Sequence, residues 1–145
     1  MRIDLEYIAS MLDVFLDSEK AHIDLNEFEK SGVNISTEDN SAFSEQFIFH
    51  MQIAIDNQLI GQRDGPAYDL KDVGVNQSLD GHETIVVKPI RLTQSGHDFA
   101  CTLNNKEVLA KLKSEFKDAP FNVIFEGGQK LLQHFMKKKL DAILE

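Results

Sequence analysis

The sequence predicts an α+β fold that is mostly helical and contains a small antiparallel sheet. Apolar residues recur with helical spacing over residues 3–16 and 42–59. Two strand-like segments, residues 59–63 and 85–92, flank about twenty residues rich in Gly, Pro and Asp, which is typical of two antiparallel strands joined by a long connection. The order helix, short strand, helix, helix, strand, wing, strand, helix is that of a winged helix-turn-helix fold.

The first half of the chain contains three predicted helices. Residues 3–16 place acidic and polar side chains opposite an apolar face, which indicates an amphipathic first helix. A short apolar segment over residues 22–25 precedes a brief second helix over residues 25–30, which ends at Gly32. Residues 33–41 are rich in polar turn formers, so we expect a loop before the third helix.

The junction between the last predicted strand and the next helix carries the most local information. Residues 85–87 are β-branched and predict a strand, and Pro89, which cannot donate to a ladder, predicts that this strand lies at a sheet edge. Thr93 is the predicted N-cap of the following helix. Gly96 lies one turn further on, and we expect it to let the helix start approach a neighbouring backbone closely.

Two more helices are predicted towards the C-terminus. Asn104 or Asn105 is expected to cap the first of them, and Pro120 lies near the start of the last, which runs through Leu144. The pair at residues 127–128, Gly-Gly, lies inside this last helix and indicates either a kink or a place where another helix crosses closely.

Length and composition indicate one globular unit. A chain of 145 residues with 42% apolar content and ten Phe buries one sizeable core. We expect a winged-helix domain over residues 1–103 and a C-terminal helical extension over residues 104–145 that packs on it. No apolar run is long enough to span a bilayer, and acids occupy the place of a basic signal-peptide region, which predicts a cytoplasmic protein. Cys101, the only cysteine, excludes an intramolecular disulfide and is predicted to be a small core residue.

Several motifs resemble those of a family of small bacterial and phage proteins of unknown function. The motifs are the opening Ile-Asp-Leu-Glu-Tyr-Ile at residues 3–8, Leu-Ile at 59–60, Arg91-Leu-Thr-x-x-Gly-His-x-Phe99, Phe-Asn-Val-Ile at 121–124 and Lys-Lys-Lys-Leu at 137–140. The resemblance spans nearly the whole chain. It implies a winged-helix fold and a phage or prophage source, and it implies no activity and no catalytic residues.

The charge is unevenly distributed. Residues 1–59 contain twelve acidic residues against three basic ones, whereas the rest of the chain holds twelve of each, so the net charge of −9 lies in the half that would hold the helix-turn-helix. Nucleic-acid binding depends on Lys and Arg that neutralise phosphates and reach base edges. Residues 42–59, the predicted third helix, contain no Lys and no Arg. This charge distribution disfavours nucleic-acid binding, which is the usual function of the winged-helix fold.

The predicted third helix has two apolar surfaces. Projection at about 100° per residue assigns a broad apolar face to the core. On the opposite face Phe49 and Ile53 form a small apolar ridge beside two acids, where a DNA reader would present donors. The candidate interaction residues are Glu45, Phe49, Gln52, Ile53 and Asp56. The alternative is that the chain's own C-terminal helices bury Phe49 and Ile53.

The last predicted helix is a candidate dimer contact. Its apolar residues repeat at intervals of three and four, and terminal helices of this kind commonly dimerise winged-helix proteins, so we expect a homodimer. The candidate dimerisation residues are Leu131, Leu132, Phe135, Met136 and Leu140. The alternative is that this helix only covers its own core. Residues 137–139, three lysines, are expected to form a solvated face near the helix C-terminus.

A second interpretation assigns nucleic-acid contact to the wing. Its candidate residues are Arg63, Lys71, Lys88 and Arg91. Four acids interrupt these four cations, which weakens any phosphate contact that they would make.

Catalytic chemistry has little support in the sequence. The five histidines are widely separated, and no metal-binding, paired-cysteine or phosphate-loop motif is present, so we predict no catalytic, cofactor or metal residues. Only His97 and Cys101, at i and i+4, would share a helix face as base and nucleophile, and structural roles are favoured for both. We therefore expect a non-enzymatic acidic interaction or regulatory module. The alternative is a transcriptional regulator that contacts DNA through its wing as a dimer.

Overall fold

The computed structural model describes residues 1–145 and has an α+β fold. The helices are α1 (Leu5–Asp17), α2 (Asn26–Lys30), α3 (Glu45–Asp56), α4 (Gln94–Asn104), α5 (Lys106–Glu115) and α6 (Phe121–Leu144), with a short 3-10 helix at Leu70–Val73. The strands are β1 (Ile60–Gln62), β2 (Gly65–Pro66), β3 (Val75–Gln77), β4 (Glu83–Ile85) and β5 (Ile90–Leu92). No helix combines the length and the apolar character that crossing a membrane requires.

The strands form two small antiparallel sheets. The first has the order β2-β1-β5, and Ile23 adds a single bridge to Ile90 on the free side of β5. The second is the hairpin of β3 and β4, with Val75 opposite Ile85. The residues between β1 and β5 are called the wing below.

The segment predicted as one strand over residues 85–92 is two strands, and that prediction was wrong. β4 pairs with β3, whereas β5 pairs with β1. The chain between them is not part of either ladder, and Pro89 has no N–H to donate there. Val86 still donates its N–H to the Gly74 carbonyl at 2.9 Å, but its side chain is exposed. The change of partner moves the β3–β4 hairpin away from the β1–β5 ladder.

One core joins the helices and the first sheet. α1 packs against α4, and α6 packs against both α4 and α5. Phe28 and Phe47 are fully buried in the first half of the chain, and their rings meet edge to face with 6.1 Å between the ring centroids. In the C-terminal half, the centroid of the Phe99 ring lies 5.3 Å from that of the Phe121 ring. The C-terminal helices therefore share one hydrophobic core with the preceding elements.

The helix ends follow local capping rules. Thr93 accepts a hydrogen bond from the Gly96 N–H, and Asn105 accepts from the N–H groups of Glu107 and Val108, which confirms both predicted caps. The third helix is shorter than its apolar pattern, because the Ser44 hydroxyl accepts from the Phe47 N–H and caps it there.

Two glycines permit the close approaches that the sequence predicts. A Cβ at Gly96 would lie 1.9 Å from the Leu59 carbonyl oxygen, so the start of α4 touches the backbone before β1. A Cβ at Gly128 would lie 2.8 Å from the Thr102 methyl group, so α4 crosses α6 at this residue. The close-crossing interpretation of the glycine pair is confirmed.

Cys101 is exposed, and its predicted place in the core was wrong. Its neighbours Ala100 and Thr102 in α4 are buried. α6 packs on the face of α4 that carries Thr102, and Cys101 lies outside this contact. The sequence pattern did not indicate which face of α4 would be covered by α6.

Candidate functional site

The two faces of α3 have different surroundings. Its inner face packs into the core through Phe47, Met51 and Ala54, which are fully buried, as the helical projection predicts. On its outer face Phe49 and Ile53 are half-buried and lie one turn apart, and this pair is called the ridge. The three polar candidate residues beside the ridge are all exposed, and they are Glu45, Gln52 and Asp56.

A groove separates the ridge from the wing and is called the wing groove. Its volume is about 580 Å³, and its apolar walls include Tyr68, Leu70 and Val75. Its charged lining residues are Asp56, Asp69 and Lys71. Carboxylates therefore outnumber cations beside this side of the ridge.

A second groove lies on the other side of the ridge and is called the helix groove. Its volume is about 540 Å³, and it is formed by residues 1–5, by the connection between α5 and α6, and by Ile124 of α6. Phe116 lies in its wall, and its charged lining residues are Arg2, Asp4, Lys113, Lys117 and Asp118. The sequence alternative, in which the C-terminal helices bury the ridge, is therefore only partly correct. These helices line one side of the ridge, and Phe49 and Ile53 remain half-buried.

His50 holds the ridge in position, and the sequence did not reveal this role. Its side chain is fully buried, its Nδ1 donates to the Gln46 carbonyl at 2.7 Å, and its Nε2 accepts from the Asp4 N–H at 2.8 Å. These partners require the neutral imidazole with the proton on Nδ1. The His50 ring also lies 5.1 Å from the Phe49 ring, so one side chain ties the start of α1 to the ridge.

Tyr7 extends this contact from α1. Its ring lies 5.0 Å from the His50 ring, and its hydroxyl donates to the Asn34 carbonyl at 2.7 Å. Burial raises the pKa of Tyr7 to about 12, although a hydrogen bond with Ser44 opposes the shift. The tyrosine therefore remains neutral well above physiological pH.

The wing wall is fixed by side-chain hydrogen bonds to backbone groups. Glu83 of β4 accepts from the Phe43 N–H at 3.2 Å and from Gln77 Nε2 at 2.7 Å, which ties the β3–β4 hairpin to the segment before α3. Asp72 accepts from the Tyr68 N–H at 2.9 Å. The wing therefore lies along α3 and does not project away from it.

The four basic residues of the wing differ in what they contact. Arg63 lies 3.5 Å from the Asp64 carboxylate. Arg91 donates from Nε to the Gln62 carbonyl at 3.2 Å and from Nη1 to the Leu92 carbonyl at 3.3 Å. Lys71 lines the wing groove, and Lys88 is exposed after β4. The guanidinium of Arg91 is thus partly engaged within its own sheet.

The candidate dimerisation residues divide into two groups along α6. Leu131, Leu132 and Phe135 are partly buried against the chain's own core. Met136 and Leu140 are exposed. The interpretation that this helix covers its own core therefore holds for Leu131, Leu132 and Phe135, and the homodimer stays a prediction.

His97 and Cys101 lie on one exposed face of α4. The distance from Cys101 Sγ to His97 Nδ1 is 3.8 Å. Partial desolvation raises the pKa of the Cys101 thiol, and the carboxylates of Asp98 and Asp13 raise it further, which disfavours the nucleophilic thiolate. No cluster of three or more His, Cys, Asp and Glu side chains is arranged to hold a metal ion.

Comparison of the chain with protein-family models, with curated proteins and with solved structures gave no match.

Proposed function

We propose that this chain is a winged-helix protein that binds a cationic, amphipathic helix of a partner protein on the outer face of α3. The observation that carries the proposal is the ridge of Phe49 and Ile53, which is half-buried between two grooves beside exposed carboxylates. An apolar surface beside exposed carboxylates binds an apolar, cationic protein segment better than it binds a polyanion.

Support for the winged-helix assignment comes from the strand pairing. Ile23, between α1 and α2, bridges to Ile90 of β5, and β5 pairs in turn with β1 directly after α3. Three helices with an intervening short strand, followed by two strands and a wing, make up the winged-helix order. In this arrangement α3 occupies the position of the recognition helix.

A helix is the ligand that suits the dimensions of the surface. Phe49 and Ile53 are separated by one helical turn, and a groove of more than 500 Å³ lies on each side of them. Amphipathic helices enter such grooves through apolar residues at i, i+4 and i+7. Lys or Arg beside those anchors would face Glu45 and Asp56, which are exposed on α3.

Duplex DNA is disfavoured by the same surface. α3 contains no Lys or Arg, so it offers no cation to a phosphate and no bidentate donor to a guanine. The wing lies against α3, and its groove there presents Asp69 together with Asp56. On the wing side of α3 a phosphate backbone would therefore meet carboxylates first, whereas Arg2, Lys113 and Lys117 line the helix groove on the other side.

The test uses a synthetic helical peptide with Leu at i, i+4 and i+7 and Lys on its other positions, labelled for fluorescence anisotropy. We expect saturable binding with a Kd on the order of 10 µM, and at least about tenfold weaker binding to Ile53→Asp. Leu79→Asp is the matched control, because Leu79 is fully exposed in the β3–β4 turn and lines neither groove.

Two further probes decide between partner classes. The same peptide with Glu in place of Lys should bind at least about tenfold more weakly, since it would face the α3 carboxylates. A labelled random-sequence duplex should show no saturable binding. Equal binding of the Lys and Glu peptides, or tight duplex binding that Ile53→Asp leaves unchanged, would overturn the proposal.

A further inference from the structure

A third cavity lies on a part of the molecule that does not include the ridge. Its volume is about 280 Å³, and it is formed by the end of α1, the connection over residues 20–23, β5 and the start of α4. It shares no lining residue with the wing groove or the helix groove. Its ionisable lining residues are all basic, and they are Lys20, His22, Arg91 and His97. It is called the basic cavity below.

Strand pairing brings two of these residues together. Ile23 and Ile90 form an antiparallel bridge with reciprocal backbone hydrogen bonds of 3.0 and 2.8 Å. Because the pairing is antiparallel, His22, which precedes Ile23, lies beside Arg91, which follows Ile90. Both isoleucines are buried in the core, so alternation along the two segments places His22 and Arg91 on the other face, where both are half-buried.

Arg91 is held in position by its own sheet. Its Nε donates to the Gln62 carbonyl and its Nη1 to the Leu92 carbonyl, and Leu92 also lines the basic cavity. A guanidinium carries further N–H groups, so Arg91 still has donors for a ligand. A planar donor fork that is already positioned binds an oxyanion with little further loss of side-chain freedom.

The motif at the junction of β5 and α4 supplies half of the basic residues. Arg91 is the first residue of this motif, and His97 lies in the first turn of α4, where its N–H donates to the Thr93 carbonyl at 2.8 Å. A strand-to-helix junction needs the Thr93 cap and the close approach at Gly96, but it needs neither basic side chain. The convergence of Arg91 and His97 on one cavity is therefore a feature that the fold alone does not explain.

None of the four basic residues is paired with a carboxylate. Every ion pair of the chain is made by other side chains. Asp24 and Glu27 line an adjoining cavity together with Lys20 and His22, but Asp24 accepts from a backbone N–H and Glu27 pairs with Lys30. In a chain with a net charge of −9, the basic cavity is thus a local cationic site.

We propose that the basic cavity binds a small phosphate monoester whose organic part is apolar. Arg91 and Lys20 carry permanent positive charges, which match the charge of about −2 on a phosphate monoester at neutral pH. His22 and His97 supply further ring N–H donors for the phosphate oxygens. The apolar part of the ligand would contact the remaining large side chains of the cavity, which are Phe15, Leu16, Ile23 and Leu92.

The dimensions and the surroundings exclude a nucleic-acid backbone. A volume of about 280 Å³ is at the low end for small-molecule sites. The other basic residues of the wing, which are Arg63, Lys71 and Lys88, do not line the basic cavity. It therefore holds one phosphate group and does not continue as the track of cations that successive phosphates require.

The test is a titration of the isotope-labelled full chain with phenyl phosphate, followed by two-dimensional NMR. We expect saturable shifts at His22, Arg91 and His97, with a Kd on the order of 0.1 mM. Inorganic phosphate and benzyl alcohol each carry only one of the two recognised parts, so each should bind at least about tenfold more weakly.

Three variants assign the site. Arg91→Lys keeps the charge but loses the planar fork, and it should raise the Kd at least about tenfold. Lys20→Gln should raise it about threefold, and because Lys20 is exposed this variant keeps the test decisive if Arg91→Lys fails to fold. Lys111→Gln is the matched control, since Lys111 is exposed on α5 and does not line the basic cavity, and it should leave the Kd unchanged.

Several results would overturn the inference. Inorganic phosphate that binds as tightly as phenyl phosphate would show that the apolar walls contribute nothing, and benzoate that binds as tightly would show that a dianion is not required. Displacement of phenyl phosphate by a random-sequence duplex would assign the cavity to nucleic acid instead. A Kd that both Lys20→Gln and Arg91→Lys leave unchanged would place the ligand elsewhere. Since the basic cavity and the ridge share no residue, none of these results bears on peptide binding at α3.

Discussion

The outer face of α3 and the tip of α6 have the same apolar periodicity in opposite electrostatic settings. Phe49 and Ile53 on α3, and Met136 and Leu140 on α6, are pairs spaced i and i+4. The α3 pair lies half-buried between walls and beside carboxylates, whereas the α6 pair lies exposed among lysines. Spacing alone does not distinguish these surfaces. Their walls and charges do distinguish them.

The largest expected effect separates the inner face of α3 from its outer face. Phe47→Ala removes a fully buried ring that contacts Phe28 and Phe43, so we expect it to lower the free energy of unfolding by about 3–5 kcal/mol. Phe49→Ala, at a half-buried ring, should lower it by roughly 1 kcal/mol and weaken peptide binding. Urea denaturation followed by circular dichroism measures both. Equal losses would mean that Phe49 belongs to the core.

The next effect concerns the glycine pair near the start of α6. Gly128→Ala would place a Cβ 2.8 Å from the Thr102 methyl group, and we expect a loss of about 1–3 kcal/mol. Gly127→Ala meets only the Phe116 ring at 3.4 Å, so the better helix propensity of Ala should raise stability by up to about 1 kcal/mol. Thermal unfolding of both variants tests the opposite signs. Losses of the same size would contradict the close crossing of α4 and α6 at Gly128.

A third effect is alkaline destabilisation on the α1 side of the ridge. Burial raises the pKa of Tyr7 from 10.0 to about 12, so the unfolded chain loses the Tyr7 proton first as pH rises. The contribution of Tyr7 to stability is complete below pH 10, and it is lost between about pH 10 and 12. We expect a loss of about 1 kcal/mol, less than the full linkage because the ring is partly exposed.

Urea denaturation at several pH values measures this slope in the wild type and in Tyr7→Phe, which should show a smaller one. Tyr68→Phe, at an exposed tyrosine, is the matched control. A slope that Tyr7→Phe leaves unchanged would assign the alkaline effect to other groups.

The smallest expected effect on stability is at the tip of α6. Leu140 is 53% exposed, so Leu140→Ser should change the free energy of unfolding by no more than about 0.5 kcal/mol at a protein concentration low enough to prevent dimerisation. Chemical denaturation at nanomolar concentration measures it. A loss above about 2 kcal/mol would show that the tip packs on its own core.

Features determined by neighbouring residues were predictable from the sequence. The caps at Thr93 and Asn105 follow from side-chain oxygens two or three residues before the N–H groups that they accept from. The buried face of α3 follows from the helical period. The need for glycine at Gly96 follows from its place one turn into a helix that starts against a preceding strand.

Features determined by distant partners were not predictable. The link from His50 to Asp4 joins residues 46 positions apart, and nothing near His50 in the sequence signals it. The break between β4 and β5 depends on β3 as an alternative partner for the Val-rich segment. The wing wall beside α3 depends on Glu83 and the Phe43 N–H, which are 40 positions apart. The ridge was therefore foreseen, but its two grooves were not.

The most direct test of the α3 surface is a titration of isotope-labelled protein, followed by two-dimensional NMR, with the Lys peptide and then with random-sequence duplex DNA. The account predicts that the peptide shifts the signals of Phe49, Ile53 and Asp56 in a saturable manner, and that the duplex leaves them unchanged. Duplex-induced shifts at Arg63, Lys88 and Arg91, with no response to the peptide, would contradict it.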